Sequence, residues 1–142
     1  MNVGNVLSEK GHAVISVEET VTLQQAAAVL DTHGIGAVVV VDHRGKAIAV
    51  LSERDIVREV ALKGPAALPR PVSNMMTQAF VSAAPGDSLN ELMFRMTDRR
   101  VRHLPVIDQD ELIGIISIGD VVKAKIADAA AETDAIKGYI LS

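Results

Sequence analysis

The chain has no cysteine and no tryptophan, one tyrosine and two phenylalanines in 142 residues. Without cysteine there can be no disulfide, no thiol nucleophile and no zinc site with Cys ligands. The scarcity of aromatic rings leaves hardly any platform for stacking a base, so a flat ligand must be held by aliphatic walls. No run of about 18 apolar residues occurs that could span a membrane, and the start of the chain lacks a basic region followed by an apolar stretch. No membrane role is expected, and the composition suits a reducing cytoplasm. The formal charge of −4 gives no basic balance, which argues against nucleic acid as a partner. The four histidines, His12, His33, His43 and His103, are scattered without metal-ligand spacing, so no metal is expected.

What the chain has is one unit written twice. Leu23 placed on Leu89 gives an offset of 66 residues, which also lays Val40-Val41-Asp42 on Val106-Ile107-Asp108. After one extra turn residue in the first copy the offset becomes 65, and Ala49-Val50-Leu51-Ser52 meets Gly114-Ile115-Ile116-Ser117. Val3-Gly4-Asn5-Val6-Leu7 resembles Val72-Ser73-Asn74-Met75-Met76. Repeats at this scale are read before anything else, because they decide the fold.

Each copy predicts the order strand, helix, strand, strand, helix. The first strands are expected at 14–17 and 80–83. Helices follow at 22–33 and 88–99, with apolar residues at helical spacing (Leu23, Ala26, Ala27, Leu30; Leu89, Leu92, Met93, Met96). Thr22 and Ser88 suit N-caps, and Gly34 suits a left-handed helix end. Strands are expected at 37–41, 47–51, 104–107 and 112–116, then helices at 53–62 and 118–131. The final stretch, 120–142, reads as one helix with a possible break near Gly138. Three of the five prolines fall in 63–71, which marks the linker. The fold class is therefore α+β, two β-α-β-β-α repeats occupying 1–70 and 71–142. A three-stranded sheet covered on one face buries little alone, so the copies are expected to share a core about a pseudo-twofold axis.

The sharpest local feature is Ser-x-x-Asp straight after a buried strand, as Ser52-Glu53-Arg54-Asp55 and as Ser117-Ile118-Gly119-Asp120. One reading is a capping box at a helix start. The other adds a ligand: a helix N-terminus attracts phosphate, and an Asp one turn in can accept from two ribose hydroxyls. Arg54 and Arg58 flank the first junction, where the second has Gly119 and Lys123. Arg99, Arg100, Arg102 and His103 form a basic cluster before the second hairpin. The first copy has only His33-Gly34-Ile35-Gly36-Ala37 there, which predicts two unequal sites. No nucleophile, base and orienting group assemble from the sequence, so no enzyme is expected; a nucleotide hydrolase, or a nucleic-acid binder using residues 95–103, are the alternatives.

An apolar strand ending Gly/Ala-h-h-Ser-x-x-Asp, with h an apolar residue, is similar to the signature of the cystathionine-β-synthase (CBS) domain. The preceding Val38–Asp42 and Leu104-Pro105-Val106-Ile107-Asp108, and Arg100-Val101-Arg102-His103, resemble that family too. The resemblance spans the chain and implies a tandem CBS pair, a regulatory module with two clefts. It implies adenosine ligands: AMP, ADP, ATP, NAD(H) or S-adenosylmethionine. By position, Asp55 and Asp120 would hold ribose, with Ser52 and Ser117 beside the ribose or phosphate. Arg54, Arg58, Arg102 and His103 would meet phosphate. Ile15, Ser16 and Val17, and Val81, Ser82 and Ala83, would meet the adenine edge. Ile35 and Ala37 would line one cleft, Val101 and His103 the other. It also implies a homodimer, for which apolar positions at 26–30, 93–96 and 121–122 offer a surface, and a separate protein partner that reads the ligand state. The tip Tyr139-Ile140-Leu141 is a candidate for docking on a partner chain.

Overall fold

A computed structural model of the protein describes residues 1–76 and 80–141. In chain order its elements are α1 (Val3–Lys10), β1 (Ser16–Glu18), α2 (Leu23–His33), β2 (Ala37–Val41), β3 (Ala47–Ser52), α3 (Glu53–Lys63), α4 (Leu89–Arg99), β4 (His103–Asp108), β5 (Glu111–Ser117) and α5 (Ile118–Leu141). Short 3-10 turns at Gly64–Ala67 and Val72–Met75 lie between the halves. No helix among the described residues is long and apolar enough to cross a membrane.

From β1 onward the first half follows the expected order, while the helix α1 that precedes it was not expected. β1 runs parallel to β2, with Ser16 opposite Val39, and β2 pairs antiparallel with β3. All five residues of β2 are buried, as a continuous Val run requires. Thr22 caps α2 through a reciprocal box with Gln25, and Gly34 ends it at φ 61°. In the second half β4 and β5 pair antiparallel.

The expected strand at 80–83 is a correction. Only Ala83 bridges to Val106, exchanging backbone bonds with Pro105 and Ile107. The Ser82 carbonyl instead accepts from the Arg95 guanidinium at 2.9 Å, which turns it away from the ladder. The expected break near Gly138 is also absent, since α5 continues to Leu141.

The apolar stripes sit where helical spacing puts them: Leu23, Ala26 and Leu30 on α2, and Leu89, Leu92 and Met96 on α4, are buried. They belong to two separate cores rather than one shared core. Each core contains a segment from outside its own repeat. Val3, Val6 and Leu7 of α1 pack among Leu92, Leu104 and Ile116 of the second half, whereas Val72, with Met75 and Met76 beside it, packs with Val17 and Leu51 of the first. A Cβ on Gly114 would stand 2.8 Å from Leu7 Cδ2, so glycine there lets α1 lie against β5. The halves thus hold each other by exchanged segments. Of the positions expected to form an exposed apolar surplus, Ala26, Leu30, Met96 and Val121 are buried within the chain. Within those ranges Phe94 and Val122 are exposed, and elsewhere the exposed apolar side chains include Val57, Leu62, Ile126, Ile136 and Ile140. The side chains of Tyr139 and Leu141 lie outside the described residues.

Candidate functional site

Each strand-to-helix junction is built alike. At the first, Ser52 accepts from the Asp55 N–H at 3.2 Å, and Asp55 Oδ2 accepts from the Ser52 N–H and hydroxyl, both at 2.8 Å. At the second, Ser117 and Asp120 repeat these three bonds at 3.1, 2.8 and 2.9 Å. Both are therefore true capping boxes. The Glu53 N–H donates to the Gly36 carbonyl at 2.9 Å, and Ile118 N–H to Arg102 at 2.8 Å. Two N–H groups at the start of α3 are thereby used within the chain, which limits what the helix end alone offers an anion.

The two junctions differ in what surrounds them. The first opens on a cavity of about 190 Å³ lined by Gly36, Val50, Ser52, Glu53, Arg54, Asp55, Arg58, Arg100, Val101, Arg102 and His103. A second hollow of about 130 Å³ shares Val50, Asp55, Val101 and His103 with it and continues between Val40, Ala49, Met75, Met76, Phe80 and Val81. The two form one cleft between the repeats, charged at one end and apolar at the other. Neither part includes Ser117 or Asp120. There Lys10 Nζ donates to Asp120 Oδ2 at 2.6 Å and to the Ile115 carbonyl at 2.8 Å.

Basic groups far apart in sequence converge here. Arg54 and Arg58 come from α3 of the first repeat, and Arg100, Arg102 and His103 from the approach to β4 in the second. Against four guanidinium groups stand two carboxylates, Glu53 and Asp55. In a chain of formal charge −4 that is a marked local reversal. Arg100 adds a conformational signal. It ends α4 at φ 54°, ψ 42°, where the first repeat uses Gly34 at φ 61°, ψ 37°. A left-handed conformation costs a non-glycine residue about 1–2 kcal/mol, and such strain gathers at functional sites.

His103 is half-buried, and burial pushes its pKa below the usual 6.5; Lys10 and Arg102 push the same way, while Asp120 and Glu53 oppose them. At Asp120 burial alone would raise the pKa, but Lys10 and the Ser117 donors outweigh it and hold the carboxyl below its usual value.

Of the other residues singled out in the sequence, Val81 and Val101 line the apolar end. Ile35 lies with Ile56 and Val57 on a neighbouring groove that shares Gly36 and Glu53 with the cavity, and Ala37 is buried in β2. Ser16 is exposed beside Arg44 and Asp110, Val17 is in the first core, and the Ile15 carbonyl is taken by the Val39 N–H. Ser82 is turned to Arg95, and Ala83 is buried. Ile15, Ser16, Val17, Ser82 and Ala83 are thus absent from the lining of the open cleft. Sequence reasoning did not single out Gly36, Val50, Glu53 or Lys10. The Gly36, Val50 and Glu53 positions follow from the local strand-to-helix junction, but that of Lys10 depends on how the halves meet.

Comparison with known proteins agrees with this architecture. The family model "CBS domain" matches residues 3–62 and 72–127. A CBS domain-containing mitochondrial protein of Arabidopsis thaliana is 33% identical over 84% of this chain, which spans 60% of that protein. The crystal structure of a CBS-domain containing protein from Agrobacterium tumefaciens superimposes with a TM-score of 0.84 at 44% identity, covering 87% of this chain and 92% of that one. The CBS domain pair of protein MJ0100, solved with 5′-methylthioadenosine and S-adenosyl-L-methionine, shares the fold with a TM-score of 0.79 at 19% identity, covering 90% and 98%. Two matched copies, a mixed α+β fold and the same pair architecture in solved relatives make this chain a member of the CBS-domain family, and its two repeats a CBS pair.

Proposed function

We propose that this CBS pair is a regulatory module that binds an adenosine nucleotide carrying a phosphate tail in the cleft beside Asp55. The observation that carries the reading is the convergence of Arg54, Arg58, Arg100 and Arg102 on the capped Ser52-Asp55 junction. In this reading Asp55 accepts from the vicinal ribose hydroxyls, the base lies toward Val50, Met75, Met76, Val81 and Val101, and the phosphates lie among the guanidinium groups. The adenosine ligands carried by the MJ0100 pair support the ligand class.

The charge of the cleft supports a choice within that class. AMP, ADP, ATP and NAD(H) bring anionic phosphate to four guanidinium groups, whereas S-adenosylmethionine brings a sulfonium cation. We therefore rank the phosphate-bearing ligands first. The ligand acts by favouring one arrangement of the repeats or of a homodimer over another, which requires different affinities for the two. The exposed Val57, Phe94, Val122 and Ile126 support a homodimer interface, and a separate protein partner reads the change. A thermal-shift series tests the binding: wild type and Asp55→Ala, each with AMP, ADP, ATP, NAD and S-adenosylmethionine. Phosphate-bearing ligands should raise the wild-type melting temperature and leave Asp55→Ala unmoved. Equal shifts in both proteins would sink the proposal.

A further inference from the structure

The two Ser-x-x-Asp junctions share their internal bonds, but a cation of the chain itself sits on one of them. Lys10 Nζ lies 2.6 Å from Asp120 Oδ2 and 2.8 Å from the Ile115 carbonyl, on the strand that leads into the junction. The ion pair is partly exposed, with side-chain exposures of 33% and 23%.

Lys10 is held in place from both sides. It is the last residue of α1, whose Val3, Val6 and Leu7 are buried in the core of the second repeat. Just beyond it, the Gly11 N–H donates to the Leu7 carbonyl at 2.7 Å, and His12 Nδ1 pairs with the Ile113 carbonyl at 2.8 Å. The ammonium is therefore delivered by a docked helix rather than by a free arm.

Among the described residues, no lysine or arginine is paired with Asp55 in this way. The start of the first copy matches the second at an offset of 69, from Val3 to Val72, but by Leu23 the offset is 66. The first copy thus carries three more residues in this connector, where Lys10 lies. The corresponding stretch of the second copy, Met75 to Ala83, contains no Lys or Arg.

We infer that Lys10 sets the ligand stoichiometry of the pair: it occupies the Asp120 carboxylate as an internal cation, so each chain takes one nucleotide, at Asp55. The inference rests on the reading that a Ser-x-x-Asp carboxylate holds ribose. A second nucleotide must displace the ammonium from both Asp120 and the Ile115 carbonyl.

Calorimetric titration with ADP on the full chain tests this. Wild type should bind one ADP per chain, and Asp55→Ala none. Lys10→Met keeps the aliphatic stem and removes the charge; it should bind two, and Lys10→Met with Asp55→Ala should bind one. Lys10→Ala provides a second variant, with melting curves confirming that each protein folds. A count that stays at one in both folded Lys10 variants overturns the inference and leaves the Asp55 reading intact. A site surviving in Asp55→Ala alone, or two sites in wild type, overturns it without any Lys10 variant. No binding in any of the proteins overturns both.

Discussion

The Ser52 hydroxyl and N–H both point at a single oxygen of Asp55, Oδ2, at 2.8 Å each. No donor among the described residues reaches Oδ1. One carboxylate can therefore cap α3 with one oxygen and offer the other to a diol. The two roles predict separable effects. Ser52→Ala should lower stability by about 1 kcal/mol, the usual worth of an N-cap, and retain nucleotide binding. Asp55→Ala should lose both, and melting curves with and without ADP distinguish the two variants. Full retention of the ADP response in Asp55→Ala would reduce the motif to a helix start.

Arg100 should trade stability against binding. Its left-handed backbone is the conformation that Gly34 adopts in the first repeat. Arg100→Gly should gain about 1 kcal/mol, or about 3 °C in melting temperature for a chain of this size. The same change should weaken ADP binding, more at low salt than at high salt. If stability rises with affinity unchanged, Arg100 has no part in holding phosphate.

His103 gives a pH-dependent signature. Its folded pKa lies below 6.5 because of burial and the charges of Lys10 and Arg102, with Asp120 and Glu53 opposing. The folded chain therefore binds fewer protons there than the unfolded chain. Its contribution to stability is complete above about 6.5 and is lost as pH falls toward the folded pKa. Ring chemical shifts of His103 should show titration below 6.5 in wild type. Removing the nearby cation in Lys10→Met should move the titration upward, and bound ADP should also move it upward by placing anionic charge in the cleft. No movement with saturating ADP would put the phosphates elsewhere.

Gly114 tests the docking of α1. A Cβ there meets Leu7 at 2.8 and 3.0 Å, and Leu7 is fully buried. Gly114→Ala should cost about 1–3 kcal/mol, as overpacking does, and raise hydrogen exchange across α1. Unchanged exchange in α1 would mean that the helix docks without help from this glycine.

How far the sequence carries depends on whether a feature is local or repeated. The α2 stripe, the Thr22 and Ser88 caps, the Gly34 end and the Ser-x-x-Asp junctions were legible because each is fixed by neighbours within four residues. The pairing of the repeats was legible because an offset of 66 residues, falling to 65 past the turn, laid one hairpin over the other. The exchange of segments was not: Lys10 meets Asp120 across 110 positions, and no local pattern encodes that. The second extended segment was misjudged because Arg95, on a helix thirteen residues away, takes the Ser82 carbonyl. The basic groups were visible as two clusters with no means of knowing that they face one cleft.

The most direct test of the account is a crystal structure of the protein with ADP. The account predicts one nucleotide per chain, its ribose hydroxyls within hydrogen-bond distance of Asp55 and its phosphates among Arg54, Arg58, Arg100 and Arg102, with the Lys10–Asp120 pair intact. Density for ADP at Asp120 with the Asp55 cleft empty, or phosphates turned away from the guanidinium groups, would contradict it.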